Sequence, residues 1–192
     1  MPGVRVTSLR PERAPIRAIG ALLLLTFPLP GGMLLVKKEG LTMTDYDLLL
    51  RQAEALCTGH VTADLANVSA LLFASLKDVN WAGFYLLEAD TLVLGPFQGN
   101  VACVEIARGK GVCGTAAAAD RTLVVPDVHQ FPGHIACDSA SRSEIVVPLH
   151  KGGRVIGVLD IDSPQLSRFS EADQAGLEQL AALVEERVLG NG

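Results

Sequence analysis

Between Trp81 and Asp162 the apolar residues of this chain recur with a period close to two, and on both sides of that stretch with a period close to 3.6. That change restricts the fold more than any other feature. A period of two puts alternate side chains on one face of a strand, whereas 3.6 puts them along one stripe of a helix. WAGFYLL from Trp81, TLVLGPF from Thr91, VACVEI from Val101, TLVV from Thr122, EIVVPLH from Glu144 and RVIGVLDID from Arg154 read as strands. Lys151, Gly152 and Gly153 supply a hairpin turn between the last two. Upstream, Tyr46, Leu49, Leu50, Ala53 and Leu56 mark one helix and Leu65, Val68, Leu72 and Leu76 a second. Downstream, Ser170 with Asp173 caps a helix whose apolar face is Leu177, Leu180, Ala181, Val184 and Val188. Helices at both ends of a run of short strands predict an α+β domain with a largely antiparallel six-stranded sheet.

A length of 192 residues accommodates one such domain and an N-terminal extension, and charge separates the two. Up to Met43, Arg5, Arg10, Arg13, Arg17, Lys37 and Lys38 stand against Glu12 and Glu39, a net of +4. The chain as a whole is at −5, so residues 44–192 carry −9. An acidic domain without a basic stripe repels phosphate backbones and anionic lipid, so neither nucleic acid nor membrane is expected as a partner. The run from Ala18 to Leu25 behind the arginines has the form of a secretory leader, but is too short and too soon broken by Pro28 and Pro30 for a spanning helix. The reading favoured here is that translation begins at Met33 or Met43, because Thr44 and Asp47 are spaced as a helix cap directly after Met43. Residues 1–43 are then not part of the native protein, 44–192 form the domain, and the expected compartment is the cytoplasm.

Three cysteines lie in the middle of the chain: Cys103 in VACVEI, Cys113 in GKGVCGTA and Cys137 in GHIACDSASRSEIVVP. Separations of ten and twenty-four residues do not match the closely spaced pairs of structural zinc sites, so no metal is expected. A cysteine is as a rule a small buried apolar residue. Here Gly109, Gly111 and Gly114 surround Cys113, and Asp138 and several serines follow Cys137, which predicts exposed loops where a thiolate can react. Cys57, beside the first helix, reads as a packing residue. His129 and His134 precede Cys137 and read either as surface residues or as groups that lower a thiol pKa.

Two further groups share faces. Asp160 and Asp162 alternate on one strand, and Glu144 comes from its hairpin partner, so the three carboxylates converge. Trp81 and Tyr85, four residues apart on a strand, also point to one side; such aromatics are more often core than binding residues.

Taken together, NWAGFYLL, LGPFQG, CVEI, GKGVCGTA, DVHQFPGHIACDSASRSEIVVPL, GVLDIDS and RFSEADQAGLE resemble a GAF domain, and within that fold the free methionine-R-sulfoxide reductases. The likeness spans Thr44 to Val188, and its most specific part is the three cysteines within VAC, GVCG and GHIACD. It implies reduction of free L-methionine (R)-S-oxide, recycled by thioredoxin and without a cofactor. Cys137 would be the attacking thiolate, Cys103 the resolving thiol, and Cys113 a relay or alternative resolver, with a swap of Cys113 and Cys137 open. Glu144 would donate a proton to the departing oxygen. Glu144, Asp160 and Asp162 would bind the α-ammonium group and the sulfoxide oxygen, while Trp81 and Tyr85 would meet the substrate methyl group. A homodimer is compatible with this reading. The alternatives of another class are a ligand-sensing GAF module and a thiol redox sensor without turnover; paired redox thiols disfavour the first.

Overall fold

A computed structural model describes residues 25–29, 32–36, 44–135 and 138–190. The chain divides into two compact units, Met1–Gly40 and Leu41–Gly192. In the first, β1 (Leu25–Leu29) and β2 (Gly32–Val36) pair as an antiparallel hairpin.

The second unit runs α1 (Tyr46–Leu56), α2 (Val61–Ser75), β3 (Trp81–Glu88), β4 (Thr91–Gly99), β5 (Glu105–Ala107), α3 (Gly111–Ala119), β6 (Leu123–Val125), β7 (Ser143–Lys151), β8 (Arg154–Ser163) and α4 (Glu171–Val184). Its six strands form one sheet in the order β5-β4-β3-β8-β7-β6, and every neighbouring pair is antiparallel. The α+β architecture and the six strands are those expected from the periodicity. In the β7–β8 hairpin Lys151 pairs with Arg154, and both Gly152 and Gly153 have positive φ (58° and 73°). This is the backbone that a two-residue turn matched to the strand twist requires, and glycine adopts it without Cβ strain.

Strand alternation sorts the side chains into two cores. Phe84, Ile145, Val147, Leu149, Leu159 and Ile161 pack against Leu49, Leu65, Leu72, Leu177 and Leu180 of α1, α2 and α4. From the opposite face Trp81, Tyr85, Val146 and Val158 pack with Val112, Cys113, Ala116 and Ala117 of α3. Each fully buried Leu, Ile or Phe contributes about 2 kcal/mol by leaving water. α4 is fastened by the expected capping box: the Asp173 backbone N–H donates to Ser170 Oγ, and the Ser170 backbone N–H donates to Asp173 Oδ2. Asp173 also accepts from Tyr46 Oη at 2.8 Å and Arg168 Nη1 at 3.1 Å, tying α1 to α4.

Four expectations are corrected. The α1 cap is Asp45, whose carboxylate accepts from Leu48 N–H, and not Thr44 with Asp47, because the helix starts one residue later than that spacing assumed. The strand expected from Val101 is only Glu105–Ala107. Its partner β4 pairs with it over Thr91–Val93 and then passes through Gly95 and Pro96, which has no N–H for a ladder, leaving Val101 exposed. The glycine-rich segment around Cys113 is the helix α3, not an exposed loop. Its run of four alanines favours the helix, and Gly114 serves close packing, since a Cβ there would collide with the Ala107 carbonyl oxygen. The last helix does not continue as α to Val188; a π-helical turn, Glu185–Leu189, completes it.

Candidate active site

The α3 face of the sheet carries the polar residues predicted to converge. Trp81 of β3 lies opposite Asp162 of β8, Asp162 opposite Glu144 of β7, and Glu144 opposite Val125 of β6, a single row across four strands. In the next row Gly83 faces Asp160, which faces Val146. Gly83 leaves room there: a Cβ would overlap Phe97 and the Trp81 ring. The strand register thus delivers Glu144, Asp160 and Asp162 to one cavity, whose other wall is the first turn of α3 with Gly111, Val112 and Cys113. Gly111 has φ +58°, and Ile135 packs against the side where a Cβ would project.

Cys113 is buried, and its thiol donates to Glu144 Oε1 at 3.7 Å. One donor atom from each of Cys113, Glu144 and Asp160 lies within 4.8 Å of the other two. So much acid in so little water alters the ionisation of every member. Burial, and then the charges of Asp160 and Asp162, push the Glu144 carboxyl well above its usual range. Burial does the same to Asp162, with Asp160 and Asp138 adding to it. Asp160 is pushed up to about 7 by burial, moderated by hydrogen bonds to Cys113 and Glu144. The Cys113 thiol is driven well up by burial and by the Asp160 and Glu144 charges, so it is a poor thiolate while that cluster surrounds it. Asp160 Oδ1 and Trp81 Nε1 are buried without a hydrogen-bond partner among the described residues. The site therefore offers protonated carboxyl groups and an unused acceptor, and Trp81 beside it holds an unused donor.

Trp81 and Tyr85 share the face predicted for them and stack with ring centroids 5.9 Å apart; Phe97 stacks on Trp81 at 5.2 Å. Both are buried, and the Tyr85 hydroxyl donates to the Cys103 carbonyl at 2.9 Å. Trp81 adjoins the carboxylates as the register partner of Asp162, while the cavity wall itself is made by other residues. Cys103 is half-buried in the segment before β5, between the exposed side chains of Val101 and Val104. Cys57 donates from Sγ to the Ala53 carbonyl at 3.3 Å, in keeping with a packing role.

Cys137 lies outside the described residues, but Ile135 and Asp138 on either side both line the cavity. His134 lines it too and sits edge-on to His129; burial, then the His129 charge, lowers its pKa. Sequence reasoning missed the supports of this segment. Asp138 accepts from Asn80 Nδ2 and Asn100 Nδ2, each at 3.0 Å, and from Ala140 N–H at 2.9 Å. Asn80 also donates to Ser141 Oγ at 3.0 Å. The signal available was the Asp-Ser-x-Ser run after Cys137, a composition that folds back on its own backbone. Nothing in the sequence pointed to Asn80 and Asn100 as the distant donors.

The GAF domain family matches residues 60–188. The chain is 57% identical over 143 residues to the free methionine-R-sulfoxide reductase of Escherichia coli (strain K12), covering 73% of this chain and 87% of that protein. Among solved structures it is similar to the fRMsr of Staphylococcus aureus in complex with substrate, with 52% identity, TM-score 0.73, and coverage of 78% of this chain and 99% of that one. It is similar also to the free methionine-R-sulfoxide reductase of Neisseria meningitidis in complex with its substrate, with 49% identity, TM-score 0.71, and coverage of 74% and 87%.

Proposed function

The chain belongs to the free methionine-R-sulfoxide reductase family of GAF domains, and from that membership we propose that it reduces free L-methionine (R)-S-oxide to L-methionine. What carries the proposal is one cavity, in a chain this similar to a named reductase, that joins a cysteine to four carboxyl groups, Asp138, Glu144, Asp160 and Asp162. Sulfoxide reduction needs a soft nucleophile at sulfur, a proton for the oxygen and a second thiol.

In this reading the Cys137 thiolate attacks the sulfoxide sulfur. Glu144, kept protonated by burial and by its acidic neighbours, gives its proton to the oxygen as the sulfur–oxygen bond breaks. The attack forms a sulfur–sulfur bond; the departing hydroxide then adds to the cysteine sulfur, and that bond breaks to leave the cysteine sulfenic acid and free methionine. The Cys103 thiol then attacks the sulfenic sulfur, forming a disulfide and releasing water, and thioredoxin's dithiol reduces that disulfide. Cys113 acts as relay or alternative resolver. Asp160 and Asp162 hold the α-ammonium group, and Trp81 with Tyr85 faces the S-methyl group. No cofactor takes part, residues 44–192 suffice, and the cytoplasm is the compartment. Consistent with a protein that does not span a bilayer by a helix, no described helix is long and apolar enough to do so.

The test is turnover. Purified protein with dithiothreitol and racemic free methionine sulfoxide should yield methionine from half of the substrate and leave the S epimer. Ligand binding without methionine formation would indicate a sensing module instead and overturn the proposal.

A further inference from the structure

The three groups that crowd the cavity form a donor set of mixed softness. We propose that the cavity beneath α3 is also a site for a borderline-soft divalent cation of the Zn2+ class, held by Cys113 Sγ, a Glu144 oxygen and an Asp160 oxygen. One donor atom from each lies within 4.8 Å of the others, and all three residues are buried. The Cys113 Sγ to Glu144 Oε1 distance is 3.7 Å. Tetrahedral zinc, with zinc–sulfur near 2.3 Å and zinc–oxygen near 2.0 Å, separates sulfur and oxygen ligands by about 3.5 Å. One edge of the tetrahedron is thus within about 0.2 Å of its length, and the other two need contractions of at most roughly 1.5 Å.

An independent observation points the same way. Asp160 is 6% exposed, and its Oδ1 has no hydrogen-bond partner among the described residues. A buried acceptor aimed into a cavity without a donor is in the state a cation would relieve. One thiolate with two carboxylates favours zinc over magnesium or calcium, which take oxygen ligands only. The cysteine spacing concealed this arrangement because its ligands come from a helix and two strands, 31 residues apart and then 16. The fourth position opens on the cavity that His134 also lines.

Binding involves no redox change. The metal–sulfur bond forms as the Cys113 proton passes to buffer, and any protons on the two carboxyl groups leave likewise. Three anionic ligands and one dication leave a single negative charge beside Asp162. If the cavity also receives methionine sulfoxide, metal and substrate exclude one another; that consequence rests on the reductase reading, whereas the site itself does not.

The experiment uses the full chain, reduced with a phosphine, freed of metal and titrated with Co2+. A thiolate-to-cobalt charge-transfer band should rise to one equivalent and be displaced by Zn2+. Cys113→Ser should lose the band and Cys57→Ser should keep it. Asp160→Asn, which preserves shape, should weaken Co2+ binding at least about tenfold. No band in the parent, a band retained in Cys113→Ser, or unchanged affinity in Asp160→Asn overturns the site; the last decides the matter if the serine variant does not fold. Turnover of the same metal-free samples is read separately. An inactive chain that binds Co2+ through Cys113 refutes the reductase and leaves the site, and an active chain without the band does the reverse.

Discussion

Glu144 and Asp162 stand directly opposite one another across β7 and β8, two carboxyl side chains on the same face of the sheet, Glu144 buried and Asp162 half-buried. Like charges in that position repel, and burial reduces the water that would screen them. The pair is tolerable when protons or a bound cation neutralise it. Asp160, two residues before Asp162 on the same strand, adds a third carboxyl to the group. A ligand carrying an ammonium group would supply the missing charge, and the first two predictions follow from that imbalance.

Asp160 ionises near 3.8 in an unfolded chain and near 7 in the folded one. Between those pH values the folded state holds the proton more tightly, so its stability falls as pH rises from about 4 to 7. The loss has an upper bound of roughly 4 kcal/mol, lessened by coupling to Glu144 and Asp162. Asp160→Asn removes this dependence. Thermal melts should show the variant gaining several degrees on the parent at pH 8 and little at pH 4.5; equal differences at the two pH values would refute the assignment.

N-acetylation removes the ammonium charge and leaves the carboxylates unpaired, which a buried polar site tolerates poorly. Catalytic efficiency for the N-acetylated R-sulfoxide should be at least about a hundredfold below that for the free amino acid. Asp162→Asn should act chiefly through KM, whereas Glu144→Gln should depress kcat and alter its pH profile. Comparable efficiencies for the two substrates would rule out an ammonium pocket even with catalytic cysteines in place.

Cys137→Ser should abolish reduction with any reductant. Cys103→Ser should retain a first turnover and lose most of the thioredoxin-linked rate, because the sulfenic acid then lacks its resolving thiol. Cys57→Ser should stay within about twofold of the parent, since Cys57 packs against the helical core and does not line the cavity. Single-turnover methionine yields separate these cases, and full activity in Cys137→Ser would transfer the attacking role to Cys113.

A chain begun at Met43 should fold and turn over as the full chain does, because the two cores described above and every proposed site residue come after it. Its melting temperature and kcat/KM, compared with those of the full chain, test the boundary. An insoluble or inactive product would show that residues 1–43 belong to the working protein.

Periodicity and turn chemistry by themselves determined the six strands, the three helices at the ends of the domain and the face shared by Asp160 and Asp162. A pleated strand alternates its side chains whatever surrounds it, and two glycines with positive φ close the hairpin that brings Glu144 alongside. The tertiary structure alone decided what lies over that face. Gly111 and Gly114 looked like loop residues, yet one lies under Ile135 and the other against the Ala107 carbonyl, and this close packing buries Cys113 on a helix. Asn80 and Asn100 reach Asp138 across 58 and 38 residues of sequence. Local sequence specifies conformation, but burial, and the pKa displacements it causes, depend on which distant segments pack together and exclude water.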